Sequence, residues 1–142
     1  MIEMQYTFPT VSKVTVLYKG IYKDYTYFVI SYGTHPCCYV ALDSTHPYYE
    51  VLYDDIPVNC HGGLTFSEHG LIDYKNKHTF IPESYWVIGW DYHHVGDFSG
   101  FYYGKNDYLE HLRKWTTEEL IEECKNVIDL LDSIANPQRL YK

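Results

Sequence analysis

The sequence predicts a single α+β domain spanning residues 1–142, with an antiparallel-rich sheet covered by a C-terminal amphipathic helix. Three observations carry this. Short alternating runs rich in β-branched and aromatic residues, cut by Gly, Pro and Asp, fill the first ninety or so positions. One long stretch near the C-terminus carries apolar residues at three and four spacing. The length, 142 residues, suits one domain with a real core and no second.

Lys13-Val14-Thr15-Val16-Leu17-Tyr18 alternates, Lys19-Gly20 is expected to break it, and Asp24-Tyr25-Thr26-Tyr27-Phe28-Val29-Ile30 resumes, which reads as a hairpin. A third strand, Cys37-Cys38-Tyr39-Val40-Ala41-Leu42, follows the Gly33-Thr34-His35-Pro36 turn and closes at Asp43-Ser44-Thr45-His46-Pro47. Pro57-Val58-Asn59-Cys60 reads as a short extended piece. The polar stretch from Glu68 to Glu83 has no clear period and is expected as a loop. Tyr85-Trp86-Val87-Ile88-Gly89-Trp90 is the most apolar strand, expected to be central and buried on both faces. Phe98 to Tyr108, rich in Gly, Tyr and Asp, reads as a loop over the site.

Thr116-Thr117-Glu118-Glu119 is a capping-box start: the Thr116 hydroxyl can accept from the Glu119 N–H while the Glu119 carboxylate reaches back. Leu120, Ile121, Cys124, Val127, Ile128, Leu131, Ile134 and Ala135 then recur on one helical face, and Asn136-Pro137 ends the run. Glu118, Glu119, Glu122, Glu123, Asp129 and Asp132 are expected on the solvated face, with acidic residues of the first turn matching the helix dipole.

Composition narrows the partners. Apolar residues make up 46% and charged residues 21%, the balance of a globular chain, and no apolar run approaches membrane-spanning length. The net charge of −8 opposes attraction to a nucleic-acid backbone, so duplex binding is not expected. A small phosphorylated ligand remains compatible, because a nest of backbone N–H groups holds an anion even in an acidic protein. The four cysteines, Cys37, Cys38, Cys60 and Cys124, have no C-x-x-C spacing and are expected to be reduced. Seventeen tyrosines are the unusual feature, read either as strand rings or as a pocket that stacks on a base or sugar. The start Met1-Ile2-Glu3-Met4-Gln5 has no basic, apolar signal character, so the cytoplasm is the expected compartment.

Two segments concentrate chemistry. Cys60-His61-Gly62-Gly63-Leu64-Thr65-Phe66-Ser67 and Trp86-Val87-Ile88-Gly89-Trp90-Asp91-Tyr92-His93-His94-Val95-Gly96-Asp97 each set glycines beside polar side chains at the end of an apolar run. Gly62 and Gly63 let backbone N–H groups approach an anion, with hydroxyls from Thr65 and Ser67; the alternative is a plain turn. Trp90 and Asp91 complete the expected ligand contacts. His61, Asp91, His94 and Asp97 are expected to converge. Together they suit a divalent ion such as Zn²⁺, Mn²⁺ or Fe²⁺. Without a metal, one histidine (His61 or His94) would act as acid or base with Asp97 fixing its tautomer. A hydrogen-bonded Asp–His pair that merely fixes a loop explains the same residues. No serine or cysteine stands in a nucleophile-elbow context, and Cys60 beside His61 would point to the opposite face. His35, His46, His69, His78 and His111 are read as loop residues.

At Asp54-Asp55-Ile56-Pro57-Val58, His61-Gly62-Gly63-Leu64-Thr65, Ile88-Gly89-Trp90-Asp91, His94-Val95-Gly96-Asp97 and Thr117-Glu118-Glu119 the chain resembles a family of small phage and prophage proteins of Gram-positive bacteria. The resemblance spans roughly residues 36–135. It implies a phage origin and action in the host cytoplasm, but brings no assigned reaction. Accessory phage proteins often oppose host defence, which by analogy raises two functions. One is recognition, with hydrolysis left open, of a small polar nucleotide-like ligand. The other is a non-catalytic inhibitor that masks a host defence enzyme with its acidic, tyrosine-rich surface.

Overall fold

The computed structural model describes residues 14–33, 35–92 and 114–138. Five strands, β1 (Thr15–Tyr22), β2 (Tyr25–Ser31), β3 (Pro36–Leu42), β4 (Phe66–Asp73) and β5 (His78–Asp91), form one antiparallel sheet in the order β1-β2-β3-β5-β4. One helix, α1 (Thr117–Ala135), lies against β1, β2 and β3. The architecture is α+β.

β1 does not break at Lys19-Gly20 but runs on to Tyr22, because the chain turns at Lys23-Asp24, both at positive φ (50° and 71°) as a two-residue hairpin loop of type I′ demands. Gly20 serves packing instead: a Cβ there would lie 2.7 Å from the Tyr27 ring. Pro36 opens β3, where a missing N–H is tolerated.

The two faces of the sheet bury different sets. Tyr27, Val29, Cys38, Val40, Leu42, Trp86, Ile88, Trp90 and Tyr92 face α1 and meet its stripe of Leu120, Cys124, Val127, Ile128 and Leu131. Phe28, Ile30, Cys37, Tyr39, Ala41 and Val87 point the other way, into a second core with Leu71 and Ile81. Trp86 to Trp90 therefore alternate between two cores, as expected of a strand buried on both sides. β5 is interior, while β3 occupies the middle of the order.

The stretch from Glu68 to Glu83 is not a loop. It forms most of β4 and the first part of β5, joined at a turn where Asp73 accepts from the Asn76 backbone and side chain (3.2 and 2.7 Å). His69 and His78 accordingly stand on strands. The residues that read as breakers do the bending. Gly70 (φ 78°) sits where register jumps from His69↔Trp86 to Leu71↔Ile81, so Pro82 to Tyr85 bulge out, exposed, from β5. Beyond that bulge the hairpin folds back across the second core as an arm, bringing Phe80 edge-on to Phe28 of β2 (5.7 Å between ring centroids).

α1 has the expected capping box: Thr116 Oγ1 accepts from Glu119 N–H (3.2 Å) and Glu119 Oε1 accepts from Thr116 N–H (3.0 Å). Asp132 departs from the expected solvated face. It is 3% exposed, and its carboxylate accepts from Asn136 Nδ2 (3.0 Å), tying the last turn to its cap. Among the described residues no helix is long and apolar enough to cross a membrane.

Candidate functional site at the end of strand five

The chain leaves the 3-10 turn Tyr53–Asp55, buries Ile56 and Val58, and reaches the end of β5 through the Cys60-to-Gly63 turn. Gly63 N–H donates to Cys60 O (2.9 Å), and Gly62 and Gly63 have φ of 69° and 81°, a region that side chains with a Cβ rarely enter. Space above Gly63 is open: apart from Gly63 itself and its two chain neighbours, no atom comes within 4 Å of where a Cβ would stand. The backbone of this turn is thus approachable.

The turn is fastened to α1 by His61 N–H, which donates to Glu123 Oε2 at 2.8 Å. The His61 ring then stacks on Tyr92, centroids 4.7 Å apart, and Trp115 stands edge-on to both at 4.9 and 5.1 Å. Tyr92 is fully buried and held at both ends: its N–H donates to Pro36 O (3.1 Å), and its hydroxyl accepts from the Trp90 indole (3.0 Å). Burial pushes the Tyr92 hydroxyl well above the ordinary phenol range, so it stays protonated. Burial, followed by the Glu123 charge, raises the Cys60 thiol to about 12, leaving it a poor nucleophile.

Past Leu64 the chain joins the sheet edge. Thr65 N–H donates to Gly89 O (2.9 Å), and Thr65 Oγ1 donates to Asp91 Oδ2 (3.2 Å). Asp91 pairs with Cys37 across the ladder, and the Cys37 thiol, raised to about 12, owes this first to burial and only then to the Asp91 charge.

Strand alternation separates two of the four residues expected to converge. Tyr92 faces α1 and takes the His61 ring with it, while Asp91, one residue earlier, shares the face of Cys37. His61 and Asp91 therefore flank the strand end on opposite sides. Among the described residues no three His, Cys, Asp or Glu side chains are set to hold a metal ion. His94 and Asp97, like His93 and the Phe98-to-Tyr108 segment, lie outside the described residues. Of the four residues expected to hold a divalent ion, His61 and Asp91 are the two described, and they stand apart.

Two expected ligand contacts have structural work. Trp90 is 1% exposed, inside the helix-side core. Ser67 Oγ accepts from Tyr53 N–H (3.1 Å), pinning the 3-10 turn to β4. Conversely, Tyr92, Trp115 and Glu123 contribute to the site without having been singled out by sequence. The available signal was Trp115 immediately before an N-cap, the position of a hydrophobic staple. No protein-family model matches the chain, and neither does any curated protein or solved structure.

Proposed function

We propose that this chain is a phage accessory protein that recognises a small polar, nucleotide-like ligand at the end of β5. The observation that carries the reading is the His61–Tyr92 stack beside two adjacent glycines at positive φ, with open space above Gly63. The His61 ring offers a face to a planar ligand, and, with the His61 and Gly63 N–H groups committed to Glu123 and Cys60 O, the turn's donors to an anion are the N–H groups of Gly62 and Leu64. The Thr65–Asp91 pair adds a hydroxyl and a carboxylate on the other side of the strand end. Hydrolysis would enlist His94 and Asp97 with His61.

Calorimetry against cyclic and ADP-ribose-type nucleotides, with and without Mn²⁺ or Zn²⁺, tests recognition. Wild type is expected to bind one class, and His61→Ala to lose about tenfold or more in affinity, since one stacked ring is worth about 1–3 kcal/mol. Equal binding by both proteins removes the site. Product formed by wild type and abolished in Asp97→Asn would assign turnover; intact retained ligand would assign sequestration.

A second reading, masking of a host protein, draws on β1. This strand has β2 on one side and no described strand on the other, and it exposes Val16, Leu17, Tyr18 and Ile21. Such an edge can accept a strand from a partner. Absence of any retained nucleotide, with co-purification of a host protein lost in Ile21→Lys, would favour it.

A further inference from the structure

The bulge at Gly70 opens a second place for a ligand, on the sheet face away from α1. Where the arm folds back, a cleft of about 320 Å³ lies between it and the sheet, lined by Tyr32, Tyr39, Phe66, Glu68, Leu71 and Tyr74. It continues into a recess of about 160 Å³ whose wall includes Phe80. The volume reaches the lower end of what small-molecule sites enclose.

The walls are ordered. Tyr39 lies flat over Gly89, where a Cβ would come within 2.6 Å of its ring, and Phe66 stands edge-on to Tyr39 at 5.3 Å. The Tyr32 and Tyr39 hydroxyls are joined at 2.9 Å. Tyr74, on the arm, is 76% exposed and forms the outer rim.

Charge selects the occupant. Glu68 is exposed, stands on the cleft side of β4 between Phe66 and Leu71, and makes no ion pair or hydrogen bond among the described residues. His69 also lines the cleft, but its ring is engaged by Glu83 O and the Glu50 carboxylate. Asp73, in the recess, is engaged by Asn76. No lysine or arginine lines either space, so neither is built for a phosphate. An aromatic lining with one unengaged carboxylate suits a planar heterocycle whose edge donates.

Among nucleobases, guanine fits this best. Its N1–H and 2-amino group are adjacent donors that match two carboxylate oxygens, whereas adenine and cytosine each pair one amino group with a ring-nitrogen acceptor, and uracil sets N3–H between two carbonyls. We propose that the cleft floored by Tyr39 and Phe66 binds a guanine-type base or nucleoside, stacked against the exposed Tyr74 ring and held edge-on by Glu68. The proposal rests on the nucleotide-like reading above and supplies its base specificity from a different surface.

Titration calorimetry of the full chain with guanosine, inosine, adenosine and cytidine, none carrying phosphate, tests the cleft directly. Guanosine is expected to bind at least about tenfold more tightly than inosine, which lacks the 2-amino group. Glu68→Gln should erase that difference with an unchanged melting temperature, and Tyr74→Ala should weaken every nucleoside; both positions are exposed, so folding is preserved. Equal affinity for guanosine and inosine, or discrimination that survives Glu68→Gln, overturns the proposal. Nucleotide binding lost in His61→Ala but indifferent to Glu68→Gln overturns the cleft and keeps the turn reading. No binding of any nucleoside or nucleotide overturns both.

Discussion

The imidazole of His61 lies parallel to the ring of Tyr92, within 3°, while Tyr92 itself is locked from behind by the indole of Trp90. The candidate site therefore inherits the rigidity of the core through one phenol oxygen. Removing that oxygen tests the linkage. Tyr92→Phe leaves the buried Trp90 N–H without its acceptor and is expected to lower stability by about 1–3 kcal/mol, read by chemical denaturation. An unchanged midpoint would mean that the indole finds another acceptor.

His46 gives the fold an acid-sensitive point far from that stack. It is 6% exposed, its Nε2 meets Leu131 O (3.0 Å), and its Nδ1 accepts from Tyr48 N–H (3.0 Å), an arrangement that fixes the neutral imidazole. Burial holds it below its ordinary 6.5, against the raising effects of the Leu131 bond and of Asp43 and Asp132. The neutral ring's contribution is present above pH 6.5 and is lost as pH falls from there toward the folded value, because the unfolded chain takes the proton first. Stability should thus begin to decline below pH 6.5, well before Asp43, Asp73 and Asp129, which are lowered from 3.8, come into play. Denaturation midpoints of wild type and His46→Gln between pH 7 and 5 check this: the variant should be less stable at pH 7 yet flatter across the window. Parallel curves would show that another group governs the decline.

Gly89 has no room for a side chain. A Cβ would sit 2.6 Å from the Tyr39 ring and 2.8 Å from Cys38 O, and the second contact is backbone that cannot rotate away. Gly89→Ala should cost about 1–3 kcal/mol through overpacking. It should also shift the Tyr39 and Phe66 ring resonances in NMR spectra. A neutral outcome would contradict the close packing of β3 on β5.

Thr116→Ala removes a cap acceptor and should lower stability by about 1 kcal/mol. Thermal unfolding measures it. Thr116→Ser, which keeps the hydroxyl, should recover most of the loss; failure of serine to do so would argue against the capping box as the cause.

Much of this architecture was legible where local pattern and global fold agree. β2, β3, the last part of β5 and α1 follow from alternation, apolar density and the Thr116–Glu119 box. β4 and the first part of β5 were illegible because Gly70 and Pro82 mark strand ends in most settings, whereas here both belong to one bulge. Gly20 misled similarly: it is small for the sake of Tyr27, which only cross-strand register reveals. At the site, the glycine pair announced the turn. The side to which His61 and Asp91 each face depends on strand parity at Asp91 and Tyr92, and the role of Glu123 depends on where α1 docks.

The register jump at Gly70, followed by a one-residue shift between Leu71 and Ile72, also separates the pairing of the arm from that of the sheet body. Pairing from Phe66 to His69 belongs to the body of the sheet, and pairing from Leu71 to Asp73 belongs to the arm alone. Length added in residue pairs at the Tyr74-to-Lys77 tip would extend the arm without reassigning a single body pair. For protein engineering that makes the tip an insertion point for an epitope or fluorophore, one whose signal would report the arm's surroundings while the scaffold beneath stays unaltered.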